Sequence, residues 1–324
     1  MIMTPKIILL VGFQASTKSS VATEITSQVS NATILSRDKE GGTIESLVPK
    51  ADKLLQDGKV VIVDNTNLTK KTRKLFIDLA KKYNVHIDAQ YCKTTIEDCQ
   101  IRHLRRMYDK FGQIFQTGTS PLHKKDPHCF GSVVLFKSRK DLELPSKEEG
   151  FRHVIMRYVT PILWDETRFV NKALFLDIDG TIRHTEHLPY KYPTHLDEVM
   201  LLHSAEKMRE KLEMYRANRY YLIGVSNQSG ISKGIVTEEA VNAMFEKTRN
   251  LLGYSEKEFP IIYCPHRPAP ITCFCRKPQV GMLLEFIMKL NLNPLNCIMV
   301  GDMKTDAEMA NRLSMKYYDV KDFW

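Results

Sequence analysis

Short apolar runs that each end in polar residues recur along this chain, with stretches of helical period between them. In the first half, runs near 6–12, 32–36, 59–64 and 85–92 read as strands, and Lys6-Ile-Ile-Leu-Leu-Val11 is almost continuously apolar. Such runs suit strands covered on both faces, as in a parallel sheet. A helical pattern follows the first strand to about Val29, and another covers Ile96 to Met107. In the second half the same theme returns in Ala173-Leu-Phe-Leu-Asp177, in Tyr220-Tyr-Leu-Ile-Gly-Val-Ser-Asn-Gln228 and in Cys297-Ile-Met-Val-Gly-Asp302. Strands alternating with helices in both halves predict an α/β chain of two parallel-sheet domains, 1–165 and 166–324, with the switch around Pro161–Arg168. Segment 110–132 reads as a basic loop. Arg183 to Pro193, rich in His and Tyr and without a clear period, reads as a small cap insert. A chain of 324 residues is long for one core and comfortable for two.

The strand ends carry the chemistry. Asp177-Ile-Asp-Gly-Thr181 sets two acids one residue apart before a tight Gly turn, which lets both carboxylates converge. A divalent cation would offset their repulsion, and one acid would be pushed toward keeping its proton. That pairs a nucleophile with a general acid. Ser226 and Asn227 are short donors suited to a phosphate oxygen, and Arg276 and Lys277 add positive charge. Asp302 ends a third strand and Asp306 follows one helical turn later. In open α/β sheets, ligands sit at the carboxyl ends of strands.

Cys264-Pro-His266 and Cys273-Phe-Cys275 form two ligand pairs around a Pro-rich loop. A Cys3His set suits tetrahedral Zn2+ in a closed, structural site. It would hold Arg276 and Lys277 toward the phosphate.

The first half holds a second set. Gly12-Phe-Gln-Ala-Ser-Thr-Lys-Ser-Ser20 follows a strand and opens a helix, as a phosphate-binding loop does. Lys18 would reach the phosphates and Ser19 would ligate Mg2+, with Gly12, Thr17 and Ser20 completing the nucleotide-binding loop. Thr17 stands where the pattern has its second glycine; a positive φ there would cost about 1–2 kcal/mol. Asp64 is placed to hold Mg2+ or its water. Asp38 can accept a proton from an attacking hydroxyl, with Arg37 beside it. Arg102, Arg105 and Arg106 can share a helix face and close over a phosphoryl group, although an ordinary solvated face accounts for them almost equally well.

In order, Asp177/Asp179, Ser226, Lys277 and Asp302/Asp306 resemble the four motifs of haloacid-dehalogenase-type phosphatases. The Cys/His loop resembles that of the histidinol-phosphate and heptose-bisphosphate subgroup. The resemblance implies Asp177 as the nucleophile, Asp179 as the acid and then base, and Mg2+ between Asp177, the Asp179 carbonyl and Asp302. It also implies that Asp306 orients Lys277. The first half resembles the kinase domain of polynucleotide kinase–phosphatases through Gly12–Ser19, Ser36-Arg-Asp38, Val63-Asp-Asn-Thr-Asn67, Cys99 through Arg106, and 134–151. That implies ATP as phosphate donor, Asp38 as base on a 5′-hydroxyl, Arg106 as the lid arginine, and Arg37 and Arg102 on substrate phosphate. The activity implied is healing of nucleic-acid ends, by 5′ phosphorylation and 3′-phosphate removal.

Composition narrows the partners. A formal charge of +9 favours acidic ligands, and DNA or RNA ends fit that balance. Seven cysteines, clustered only at 264–275, point to a reducing intracellular compartment, cytoplasm or nucleus. No apolar stretch approaches a membrane span and no signal-peptide layout is seen. A cooperating ligase is the expected partner, while oligomeric state, DNA versus RNA and end geometry stay open. Two rival readings also stand: a small-molecule phosphomonoesterase fused to a kinase, and a Thr17-weakened kinase that only delivers the phosphatase to strand ends.

Overall fold

A computed structural model describes residues 2–117, 126 and 129–324. Part of the expected basic loop at 110–132 therefore lies outside the described residues. The chain divides into two compact units, Met1–His103 with Leu122–Ile162 and Leu104–Pro121 with Leu163–Trp324.

The first unit is built on β1 (Lys6–Val11), β2 (Ala32–Ser36), β3 (Val60–Asp64), β4 (His86–Lys93) and β5 (His153–Tyr158), in the parallel order β2-β3-β1-β4-β5. Side chains alternate across a strand. Ile7 and Leu9 of β1 thus join Val61, Val63, Phe76 and Ile87 on one face, while Ile8 and Leu10 meet Val60, Ile62, Ala22 and Ile25 on the other. Register pairs Leu10 with Asp64 and Asp64 with Ser36. The segments carrying Lys18, Asp64 and Asp38 therefore all leave the sheet at one edge. The expected strands are present. β5 was not anticipated, because it pairs only with β4 and its side chains are mostly exposed, which leaves no apolar run to read.

One buried cation ties this edge together. Arg73 is fully buried and grips Glu149 with two bonds of 2.7 and 2.8 Å, while Nη1 donates to the carbonyls of Asn67, Leu68 and Glu143. Asn67 in turn donates to Leu10 O at 2.8 Å, and Gly12 N donates to Thr66 O at 3.0 Å. Glu149 loses its partner when Arg73 is removed, so Arg73→Met is expected to lower unfolding free energy by about 3–5 kcal/mol. Urea denaturation checks this; a change within error would show that the pair contributes nothing.

The second unit carries β6 (Lys172–Asp177), β7 (Tyr220–Asn227), β8 (Ile261–Cys264), β9 (Ile298–Gly301) and β10 (Lys316–Asp319), all parallel in the order β10-β9-β6-β7-β8. Its core joins Leu174, Leu176, Leu222 and Val300 to Met208, Leu212, Met244 and Phe245 from the covering helices. Leu176 lies opposite Val300 and Asp177 opposite Val225, so Asp177, Asp302 and Ser226 emerge together. The short strands β8 and β10 escaped the sequence reading for want of length. Residues 183–193 form turns without helix or strand. No helix among the described residues is long and apolar enough to cross a membrane.

Candidate active sites

At the carboxyl end of β6, Asp177 is buried, and Lys277 Nζ donates to its Oδ1. The same ammonium lies 2.7 Å from Asp306, so Lys277 bridges two acids. Carboxylate oxygens of Asp177, Asp302 and Asp306 all fall within 4.8 Å of one another. Three acids against one lysine leave an excess of negative charge. Burial pushes the Asp177 carboxyl well above the ordinary range; Lys277 opposes this, while Asp306 and Asp302 add to it. Burial also works against the Lys277 charge, but Asp177 and Asp306 outweigh it and hold its pKa above the usual lysine value. An all-oxygen set short of positive charge fits a hard divalent cation such as Mg2+. Gly180 is required here: its φ is +96°, and a Cβ would run into the Asp302 carboxylate. Thr181 Oγ1 donates to Asp177 Oδ2 at 3.2 Å.

The Asp179 carboxylate is taken up by other donors. Its Oδ1 accepts from Arg183 at 3.1 Å, and its Oδ2 accepts from Gln228 Nε2 at 2.7 Å and Ser226 Oγ at 3.3 Å. Any metal contact from Asp179 is thus left to its backbone carbonyl. Asn227, read from sequence as a phosphate donor, instead clamps the Lys277 peptide: its Oδ1 accepts from Lys277 N at 3.1 Å and its Nδ2 faces Lys277 O at 3.4 Å. It positions the lysine. Gln228 and Arg183 were missed as site residues. Gln228 directly follows Ser226-Asn227 at the strand's end, and that placement was the available signal.

Asn227 lies opposite Cys264 in the β7–β8 register, which sets the Cys/His cluster beside this site. Ligand atoms of Cys264, His266, Cys273 and Cys275 lie within 4.8 Å of one another. His266 Nδ1 is 3.4 Å from Cys264 Sγ and 3.2 Å from Cys275 Sγ. Cys264 and Cys275 both draw the Cys273 thiol far below its ordinary range, with burial opposing. Three buried sulfurs converging with an imidazole fit a soft-ligand metal site. Arg276 Nη1 donates to His266 O at 3.2 Å, so this loop also holds Arg276.

In the first unit, the loop after β1 runs into the helix Lys18–Gln28. Lys18 is buried and donates to Phe13 O at 2.5 Å and toward Ser16 Oγ at 3.4 Å. Burial lowers its pKa, while Asp64, the Cys92 and Cys99 thiols and Asp38 pull it upward. Lys18, Asp64 and Asp38 thus share one electrostatic neighbourhood. Ser19 and Ser20 are exposed at the helix start and Asp64 is half-buried at the end of β3; oxygens of these kinds are what a Mg2+ ion bound to phosphate uses. Thr17 adopts φ 66°, ψ 14°. The glycine position thus does demand a left-handed residue. Thr17→Gly is expected to raise stability by about 0.5–1 kcal/mol, the relieved strain being partly offset by glycine's extra chain entropy. Chemical denaturation reads it; a loss of stability would mean that Thr17 is not strained.

Arg37 and Asp38 are exposed in a four-residue helical turn, Arg37–Glu40. Arg106 is exposed on the helix Ile96–Phe111. Arg102 departs from expectation: its Nη2 donates to Thr160 O at 2.7 Å and its Nη1 to Thr94 Oγ1 at 3.3 Å, which ties it to the protein. Arg105 is likewise engaged, with Leu163 O at 3.0 Å and over the Trp164 ring at 4.6 Å.

Residues 172–323 match the family described as Polynucleotide kinase 3 phosphatase, and residues 7–118 match the one described as AAA domain. D-glycero-beta-D-manno-heptose-1,7-bisphosphate 7-phosphatase of Haemophilus influenzae is 35% identical over 146 residues, covering 43% of this chain and 75% of that protein. The probable D-glycero-D-manno-heptose-1,7-bisphosphate 7-phosphatase of Thermoplasma volcanium is 31% identical over 152 residues, covering 45% and 96%. A solved structure titled as the Pnkp1/Rnl/Hen1 complex contains a chain similar over 99% of this one and 97% of its own length, at 16% identity and a TM-score of 0.34. With the phosphatase acids, Lys277 and the phosphate-binding loop each assembled at a sheet edge, the chain is a bifunctional enzyme in which an AAA-type kinase domain, residues 7–118, precedes a haloacid-dehalogenase-type phosphatase domain, residues 172–323, that matches the polynucleotide kinase 3 phosphatase family.

Proposed function

We propose that this chain heals nucleic-acid ends, transferring the γ-phosphate of ATP to a 5′-hydroxyl in residues 1–165 and hydrolysing a 3′-phosphate in residues 166–324. The observation that carries the reading is the bridging of Asp177 and Asp306 by Lys277 at one sheet edge, with Lys18 sharing its field with Asp64 and Asp38 at the other. In the phosphatase, an Asp177 carboxylate oxygen attacks phosphorus, and the P–O bond to the 3′ oxygen breaks. Asp179 gives its proton to that oxygen. Asp179 then takes a proton from the water that attacks the aspartyl-phosphate, releasing phosphate and restoring Asp177. Ser226 and Lys277 hold the phosphoryl oxygens, and Arg276 stands beside them. Asp177, the Asp179 carbonyl and Asp302 are the groups that would hold Mg2+, which would supply positive charge against the acids and the phosphate.

In the kinase, Asp38 accepts the proton of the 5′-hydroxyl as its oxygen attacks the γ-phosphorus. Lys18 and the helix start neutralise the phosphates. Ser19 and Asp64 are the residues to hold Mg2+. Arg37 and Arg106 are exposed and would each be free to meet substrate phosphate, whereas Arg102 would first have to release Thr160 O. Zn2+ is the metal that best fits Cys264, His266, Cys273 and Cys275, as a closed structural site. Free buried thiols suit a reducing intracellular compartment, and a ligase that seals the healed ends is the natural partner.

The identity with heptose-bisphosphate phosphatases favours a second reading, in which the second unit takes a small phosphomonoester. One experiment separates the two. The purified chain is given a 5′-hydroxyl, 3′-phosphate oligonucleotide, as DNA and as RNA, with ATP and Mg2+, and both termini are read beside a panel of sugar phosphates. Conversion of both ends supports end healing; selective turnover of a sugar phosphate, with 3′ ends untouched, removes it.

A further inference from the structure

Arg183, buried against Asp179, takes part in no step of the phosphatase reaction. It lies four residues beyond Asp179, and the intervening turn closes on itself: Gly180 N donates to Arg183 O at 3.1 Å and Arg183 N donates to Ile178 O at 2.8 Å. The chain thereby returns the arginine beneath the acid. The residue is 1% exposed, its guanidinium carbon lies 4.9 Å from the Phe245 ring centroid, and Nε donates to Thr248 Oγ1 at 2.8 Å. Thr248 is itself held, through its hydroxyl, to Met244 O at 2.9 Å. Nη1 reaches Asp179 Oδ1 at 3.1 Å, while Nη2 is buried with no partner. An interior arrangement that leaves a donor stranded is not optimised for stability. Its evident product is the fixed orientation of one carboxyl group.

We propose that Arg183 is a positioning residue for phosphatase catalysis: by gripping Oδ1 of Asp179, it presents Oδ2 alone to the leaving oxygen. Arginine donates and cannot accept. Oδ1 is therefore confined to accepting, and the proton delivered to the leaving group goes to Oδ2, whose remaining lone pair still accepts from Gln228 Nε2 while the Ser226 hydroxyl, able to accept as well as donate, turns to make room. Without Arg183 the carboxyl can turn, and either oxygen can face the crevice. The proposal rests on the phosphatase reading but not on a polynucleotide substrate.

The test uses the full chain with Mg2+ and two small esters, glycerol 2-phosphate, whose alkoxide must be protonated to leave, and p-nitrophenyl phosphate, whose phenolate need not be. Alcohol or nitrophenol release is followed in the first turnover, which isolates formation of the phosphoenzyme. For Arg183→Met, the glycerol phosphate rate is expected to fall on the order of 100-fold, a typical loss for general-acid catalysis, while nitrophenol release falls less than about 3-fold. Arg183→Lys should recover part of the difference. Thr248→Val, which frees the guanidinium without removing it, should show the same selectivity at smaller amplitude and serves if Arg183→Met does not fold. Equal losses on both esters, in either Arg183→Met or Thr248→Val, would mean that Arg183 is merely structural. Absence of hydrolysis by the unaltered protein is a separate outcome, which removes the phosphatase reading itself.

Discussion

Asp177→Asn is expected to abolish phosphatase turnover, by on the order of 10⁵-fold or more, since removing a nucleophile leaves only binding and charge stabilisation. Kinase activity of the same preparation should stay within about two-fold, because the ATP site is assembled in the other unit by different strands. The electrostatics add a second expectation. Asp177 is a buried acid whose charge is opposed by burial, Asp306 and Asp302, and Lys277 keeps Asp306 when Asp177 is neutralised. Metal-free stability should therefore change by no more than about 1 kcal/mol, unlike an ordinary broken buried pair. The thermal stabilisation conferred by Mg2+ should shrink, because Asp177, one of the two carboxylates proposed to hold the ion, is neutralised. Parallel assays of 3′-phosphate release, 5′ transfer and melting with and without Mg2+ read all of this. Loss of both activities together would show that the two sites are not independent.

The parts of both sites that sequence made legible are those written into a strand and its end. β1, β3, β6 and β9 are continuous apolar runs finished by a glycine or an acid, so their burial and their chemistry are read in one glance. The left-handed Thr17 was foreseeable for the same reason, because its loop has a fixed spacing. What sequence withheld is the partner of each donor. Asn227 and Arg102 were correctly seen as donors at a strand end and on a helix face, but nothing local says that Lys277 O and Thr160 O claim them. Those acceptors lie 50 and 58 residues away along the chain. Arg183 was invisible for a related reason: its role depends on Phe245 and Thr248, a covering helix that meets it only after folding. The edge strand β5 has neither an apolar run nor a punctuating acid.

Lys18→Met should reduce 5′ phosphorylation by about 10²–10³-fold, the usual loss when one preorganised charge on a transferring phosphoryl group is removed. Phosphatase activity should be unchanged, the mirror image of Asp177→Asn. The structure sharpens this beyond a loss of rate. Burial lowers the Lys18 pKa, and among the described residues its ammonium donates only to Phe13 O and, weakly, Ser16 Oγ, with Asp64, Cys92, Cys99 and Asp38 adding electrostatic attraction. In the absence of nucleotide the lysine is thus a poorly compensated buried cation. Its neutral, similarly sized replacement is expected to leave stability unchanged or to raise it by up to about 1 kcal/mol. ATP with Mg2+ reverses that ranking: phosphate oxygens give Lys18 a counter-charge, so the nucleotide should stabilise the native protein by several degrees and Lys18→Met by much less. Melting curves across an ATP–Mg2+ titration test both halves. If Lys18→Met melted several degrees lower without nucleotide, or gained as much from ATP as the native chain, Lys18 would belong to the packing of this loop and not to its phosphate site.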